Sequence, residues 1–213
     1  GKMDKNYQIE MEKIIAKEQK NNNVPTLLLH SCCAPCSSYV LETLSSYFKI
    51  TILYYNPNIY PEEEYLKRKE EEKRFIKEFP TKYKVNFLDC DYDSNSFYEM
   101  AKGLEKLKEG EHRCYLCYEL RLRKTAILAK ENNFDYFTST LSISPYKKSN
   151  WLNEIGFNLE KEIDIKYLPA DFKKKNGYKR SIELASIYNL YRQDYCGCIY
   201  SKIEREMIKE IHN

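Results

Sequence analysis

No run in this 213-residue chain approaches the roughly 18 consecutive apolar residues that a helix needs to span a bilayer. The opening stretch GKMDKNYQIEMEKIIAKEQKNNN is charged and polar and lacks the apolar segment of a secretory signal, so a cytoplasmic, reducing location is expected. Glycine is scarce, with six residues, and none falls in a GxGxxG, GxxxxGKS/T or Ser-Gly-Gly phosphate loop. That leaves ATP or dinucleotide binding without support. Net charge is nearly absent as well: 35 Lys and Arg against 32 Asp and Glu leave +3, which names no class of partner. Internal repeats and low-complexity tracts are also missing. A hydrophobic content of 42% suffices for a core, while 31% charged residues and a mean hydropathy of −0.71 describe a soluble protein.

Cysteine is what the chain has. Seven of its eight cysteines fall into three tight groups far apart in sequence: Cys32, Cys33 and Cys36; Cys114 and Cys117; Cys196 and Cys198. Cysteines one to three residues apart can turn their sulfurs toward one centre, and thiolates are the ligands that zinc and iron–sulfur clusters select. One tetrahedral zinc takes four ligands. Seven sulfurs therefore favour a cluster, a cluster with a second ion, or a metal beside a redox thiol pair. An even count of eight allows a disulfide framework in principle, but a reducing location and a chain long enough to build its own core argue against one. Cys90 stands apart, in LDCDYD (88–93), and is expected to be a buried small residue.

Alternating strand and helix patterns run along the chain. Strands are expected at 24–30, 50–55, 85–88 and 136–140. Helices are expected at 37–48, capped by Ser37 or Ser38, and at 61–79, 94–108, 114–132, 145–155, 181–191 and 199–211. In the helix at 114–132 the expected buried side is Leu116, Leu120, Ile127 and Leu128. This alternation specifies an α/β fold, a parallel sheet with helices on both faces, ending in a helical C-terminal part. Residues 1–22 are expected to form a polar appendage, with Gly1 and Lys2 a cloning remnant ahead of Met3, and residues 23–213 a single metal-binding catalytic domain. Ligands of parallel sheets gather at the carboxyl ends of strands, where the first cysteine group follows the first strand. Basic residues collect at 113–124, at Lys147 and Lys148, and at 171–180, and twenty tyrosines are interleaved with them. Tyr54, Tyr55, Tyr60, Tyr188, Tyr191 and Tyr195 could stack on bases, although core-edge packing is the commoner use.

Four segments in order, HSCCAPCS (30–37), RCYLCYELRLR (113–123), TSTLSISPYK (138–147) and YRQDYCGC (191–198), resemble the cobalamin-independent epoxyqueuosine reductases, the QueH family. The resemblance covers about residues 24–201. It implies a Rossmann-like fold similar to the adenine-nucleotide α-hydrolases. It further implies reduction of epoxyqueuosine to queuosine at the wobble position of tRNA, with a [4Fe–4S] cluster beside a separately bound metal ion, with iron expected. Carried onto this chain, the ligands are Cys32, Cys33, Cys114, Cys117, Cys196 and Cys198, with Cys36 at a position where some relatives place aspartate. The partners implied are tRNA carrying epoxyqueuosine and an electron donor.

Removing an epoxide oxygen to leave an alkene needs two electrons, a Lewis acid on the oxygen and a proton source. Acid candidates are Asp194 and His30, each two residues before a cysteine, with His112 a weaker third. Contacts to RNA phosphate are expected from Arg113, Arg121, Lys147, Lys179 and Arg180. The alternative from another class is a zinc-stabilised tRNA-binding module without redox chemistry. An ATP-dependent tRNA-modifying enzyme would need the phosphate loop that is missing.

Overall fold

The computed structural model describes residues 5–212; Gly1, Lys2 and the remaining expectations for residues 1–4 lie outside them. Five strands form one wholly parallel sheet in the order β3-β2-β1-β4-β5: β1 (Thr26–His30), β2 (Lys49–Tyr54), β3 (Asn86–Asp89), β4 (Tyr136–Ser139) and β5 (Lys166–Tyr167). The helices are α1 (Tyr7–Lys20), α2 (Ala34–Leu44), α3 (Glu62–Glu78), α4 (Ser94–Ala101), α5 (His112–Glu131), α6 (Ser149–Ile163), α7 (Gly177–Ile187) and α8 (Ile199–His212), with a 3-10 turn at Leu141–Ile143.

The central strand shows why the layers form. In TLLLH, Leu27 and Leu29 point to one face, packing with Met11 and Ile15 of α1, Val40, Leu41 and Leu44 of α2, and Phe75 of α3. Leu28 points to the other face, against Leu122 and Ala126 of α5 and Leu152, Ile155 and Leu159 of α6. Side chains alternate along a strand, so a strand covered on both faces reads as an unbroken apolar run. Each fully buried leucine contributes about 1.5–3 kcal/mol. Among the described residues no helix is long and apolar enough to cross a membrane.

Several boundaries differ from expectation. The helix expected at 37 begins at Ala34, because Pro35 suits its first turn, and Cys33 is its N-cap. Ser37 and Ser38 are therefore not caps; their hydroxyls donate back to the carbonyls of Ala34 and Pro35. α4 stops at Ala101, ahead of Gly103 with φ +82°. α6 starts four residues later than expected, and α7 four residues earlier. On α5 the buried side is Cys114, Cys117, Tyr118, Arg121, Leu122, Thr125 and Ala126, whereas Ile127 is 36% exposed. The inward face carries polar and sulfur groups near its start and alanines farther on, while the expected Leu120 and Leu128 pack at the flank of that core, so an aliphatic count found only the edge of the buried side. α1, within the stretch read as a polar appendage, lays Met11 and Ile15 into the core, and Tyr136 donates a hydrogen bond to Glu18 at 2.9 Å.

β1 pairs with both β2 and β4, and the chain winds outward from it in opposite directions. Such a reversal opens a crevice at the carboxyl ends of the two strands, here His30 and Ser139.

Candidate active site

At that crevice the chain leaves β1 through Ser31, Cys32 and Cys33 and enters α2. The ligand atoms of Cys32, Cys33 and Cys36 all lie within 4.8 Å of one another, and the sulfurs of Cys32 and Cys33 are 3.8 Å apart. Hydrogen bonds from the neighbouring sulfurs at Cys33 and Cys36, helped by Lys147 and Arg121, hold the Cys32 thiol well below its ordinary value. The same contact pushes Cys33 up to about 12 and Cys36 well above the usual range, since three crowded thiols cannot all ionise cheaply.

Of the remaining four cysteines, Cys196 and Cys198 lie near enough to Cys114 and Cys117 for their charges to act on them. Cys114 and Cys117 are three apart on the first turns of α5 and so share a face. The Cys196-Gly197-Cys198 loop precedes α8. Burial, together with the charges of Cys196 and Cys198, raises Cys114 to about 11 and Cys117 to about 12. Gly110 donates its amide to the Cys114 sulfur at 3.3 Å, and Ser201 donates its amide to the Cys198 sulfur at 3.4 Å. None of the eight cysteines is in a disulfide.

The C-terminal loop keeps its shape through Gly197 and Arg68. Gly197 has φ +140°, and a Cβ there would stand 3.1 Å from Ile59 Cγ1 and 3.2 Å from Arg68 Nη1. Arg68, 1% exposed on α3, donates to the carbonyls of Cys196 at 3.1 Å and Tyr195 at 3.3 Å and pairs with Glu64 at 3.1 Å. Glu72, one turn on, is fully buried beneath the first cysteine group and accepts the Ser37 hydroxyl at 2.7 Å. Sequence reading missed both residues, although a signal existed. Tyr65, Arg68, Glu72 and Phe75 follow the period of a buried helical stripe, with charged residues at two of its four positions.

Two cations join the groups. Arg121 is 1% exposed, donates to Cys117 O and Asn56 Oδ1, and leaves Nη2 unpartnered. Burial opposes its charge, but Cys117, Cys196 and Cys32 together outweigh that cost. Lys147, in the loop before α6 rather than on a helix, is governed the same way: Cys196, Tyr118, Cys32 and Cys36 overcome its desolvation. A cavity of about 470 Å³ opens here, lined by Cys32, Cys33, Cys36 and Cys196 and by Lys147.

The acid candidates fare differently. His30 is fully buried, with Nδ1 3.0 Å from Ser139 Oγ and Nε2 3.0 Å from Tyr55 O. Desolvation and then the Arg121 charge lower its pKa to about 4. It is a neutral, satisfied ring away from the cavity lining and not a proton donor to it. Asp194 does line the cavity, but Lys209 pairs with it at 2.6 Å and holds its carboxyl below the usual range, so it stands there as a carboxylate. His112 lies outside this cavity lining.

Of the expected RNA contacts, Arg113 is buried, donating to the carbonyls of Leu104 and Leu107 beneath the Tyr200 ring, and Arg121 is buried among sulfurs. Neither reaches a phosphate backbone. Arg180 spans Glu42 and Glu183, at 2.8 and 3.1 Å, tying α7 to α2. Lys179 is exposed on α7. Tyr54 and Tyr55 are buried, which removes both from base stacking. Basic residues not singled out individually from sequence, Arg192, Arg205 and Lys209, line the cavity instead.

The family model for epoxyqueuosine reductase QueH matches residues 27–204. The chain belongs to that family. It is 42% identical over 204 residues to the epoxyqueuosine reductase QueH of Staphylococcus epidermidis, covering 94% of this chain and 86% of that protein. It is 44% identical over 198 residues to that of Streptococcus pyogenes, covering 92% and 78%. At greater distance it is 32% identical over 180 residues to that of Thermotoga maritima, covering 84% and 92%. The match to the QueH family spans all four cysteine-bearing and flanking segments, from β1 into α8.

Proposed function

We propose that this chain is an iron–sulfur oxidoreductase that reduces epoxyqueuosine in tRNA to queuosine. The observation that carries the reading is the close group of Cys32, Cys33 and Cys36 on the cavity wall, joined there by Cys196, whose charge acts on Cys114, Cys117 and Cys198, with Arg121 and Lys147 drawn to sulfurs of both sets.

The donor set fits the cofactors. Cys114, Cys117, Cys196 and Cys198 would supply the four thiolates that a [4Fe–4S] cluster takes. Cys32, Cys33 and Cys36 offer three sulfurs to a single ion and leave a fourth position open. Buried Arg121 and half-buried Lys147 offset the negative charge that bound thiolates bring, and the unpartnered Nη2 of Arg121 has a donor to spare. When bound, such a cluster supplies electrons one at a time, and the adjacent ion supplies a Lewis acid.

The chain's own residues bind and orient. Lys147 Nζ presents N–H donors at the cavity wall beside the first sulfur group, where charge develops on the departing oxygen. Tyr146, Tyr178 and Tyr195 offer rings to a base, and Arg192 and Arg205 offer charge to phosphate. Gln193 also lines the cavity, and its Oε1 is buried without a partner, an acceptor suited to the N–H edge of a purine-like base.

The test is iron and acid-labile sulfide per chain in anaerobically purified protein, with reduction assayed on epoxyqueuosine tRNA. Cys33→Ala and Cys117→Ala should each lower iron and abolish reduction while the sheet still folds. Full activity in either variant, or zinc alone without sulfide, would overturn the reading.

A further inference from the structure

An RNA does not end at the nucleotide held in the cysteine-lined cavity. Beside that cavity lies a second, more open groove. Glu109 and Lys147 line the first, and their chain neighbours Gly110 and Lys148 line the second. Successive Cα atoms are about 3.8 Å apart, so at these two points the ridge between the cavities is one residue wide.

The groove is about 590 Å³ and lies between the starts of α5 and α6. Rings wall it. Tyr115 and Trp151 meet at 5.3 Å with planes 80° apart, and His112 stacks nearly parallel to Tyr115 at 6.2 Å. Lys148 Nζ lies 4.1 Å from the centre of the Trp151 ring, on an exposed side chain. The groove's two carboxylates are engaged: Glu154 accepts the Tyr115 hydroxyl at 3.2 Å, and Glu111 accepts the Lys108 amide at 3.0 Å. Nothing in the reduction chemistry uses this groove.

We propose that the groove is a second base site for single-stranded RNA, in which the nucleotide flanking the modified one stacks on Trp151 and takes the place of the exposed Lys148 ammonium over the ring, which swings to the phosphate between the two nucleotides. The inference rests on the RNA substrate proposed above. Aromatic rings accept any base because every base has a π-face, and a lysine over the ridge neutralises the backbone that must cross it. Rings, a cation and continuity with the substrate cavity fit RNA better than they fit a protein partner, which would ask for a broader apolar face.

The experiment measures binding of an anticodon stem–loop RNA, and steady-state reduction of epoxyqueuosine tRNA, by iron-loaded wild type, Trp151→Ala, Trp151→Phe and Lys148→Gln, with iron and sulfide content as the check on folding. Trp151→Ala should weaken RNA binding and raise KM roughly tenfold to a hundredfold with kcat retained, the effect of losing one stacking ring. Trp151→Phe should recover most of it, and Lys148→Gln should lower the salt dependence of binding by about one ion. Wild-type RNA affinity in Trp151→Ala would overturn the proposal, and so would equal damage in Trp151→Phe, which marks packing. Unchanged RNA affinity with slower reduction by a protein electron donor would overturn it in favour of protein docking. A wild type that binds no RNA would overturn the substrate reading itself, a failure visible before any variant is compared.

Discussion

Replacing Glu72 with glutamine should make the protein more stable at alkaline pH. Glu72 is fully buried on α3, its Oε2 accepts the Ser37 hydroxyl at 2.7 Å, and its Oε1 has no partner. Desolvation is the main cause that raises its pKa from 4.5 to about 7; the nearby Ser31 and Ser37 hydroxyls oppose it, and the Cys32 charge adds to it. The unfolded chain gives up this proton near pH 4.5 and the folded chain near pH 7. Between those values the native state holds more protons, so stability falls as pH rises through that window and is level above it. The gap corresponds to about 3 kcal/mol. Glu72→Gln keeps an acceptor for Ser37 and never ionises, so it loses this slope: it should match wild type near pH 4.5 and exceed it by up to about 3 kcal/mol at pH 8. Urea denaturation of both proteins at equal metal content, from pH 4.5 to pH 8, measures the difference. Parallel curves across that range, or a variant less stable at pH 8, would refute the reasoning.

Arg68→Met should release the C-terminal cysteine loop. It strips donors from two half-buried carbonyls, at no more than about 1–3 kcal/mol each, and leaves Glu64 without its guanidinium. Faster thiol labelling at Cys196 and Cys198, with lower bound iron, is the expected readout; wild-type labelling rates would count against it. Gly156→Ala drives a methyl group into the buried Tyr167 ring, whose hydroxyl donates to Asn153 at 3.0 Å, and should cost about 1–3 kcal/mol. Thermal unfolding reads that loss, with iron content expected to hold because the added methyl meets the Tyr167 ring on the edge strand β5 and no cysteine; an unchanged Tm would show that the sheet edge yields more easily than its packing implies.

Much of the candidate site was legible from residue type and spacing. Cysteines are rare enough, and their short spacings specific enough, that three groups mark a candidate soft-metal centre whatever the fold, and the structure draws Cys32, Cys33 and Cys36 together. The α/β alternation was legible for a similar reason: strands covered on both faces read as apolar runs, as 24–30 does, and helices as charged stretches between them. Turn chemistry placed the first cysteine group at a strand's carboxyl end. What spacing could not convey was which way the side chains of α5 face, because burial there follows the chemistry of the site rather than hydrophobicity. The buried pair Arg68 and Glu72 was hidden among the glutamates, lysines and arginines of α3, where charge composition suggests a solvated surface.

By itself, then, the sequence determined the three cysteine groups, the layered fold and the family, because each is written in local residue choice and order. Only the tertiary structure decided that Cys32, Cys33 and Cys36 close into one sulfur group, that Arg121 is buried among sulfurs of distant segments while Arg180 ties two helices together, and that His30 is a satisfied core residue. These outcomes depend on which distant segments meet at the β1/β4 crevice. The environment of a charge or a thiol is set there by neighbours dozens of residues away, and no local pattern encodes that.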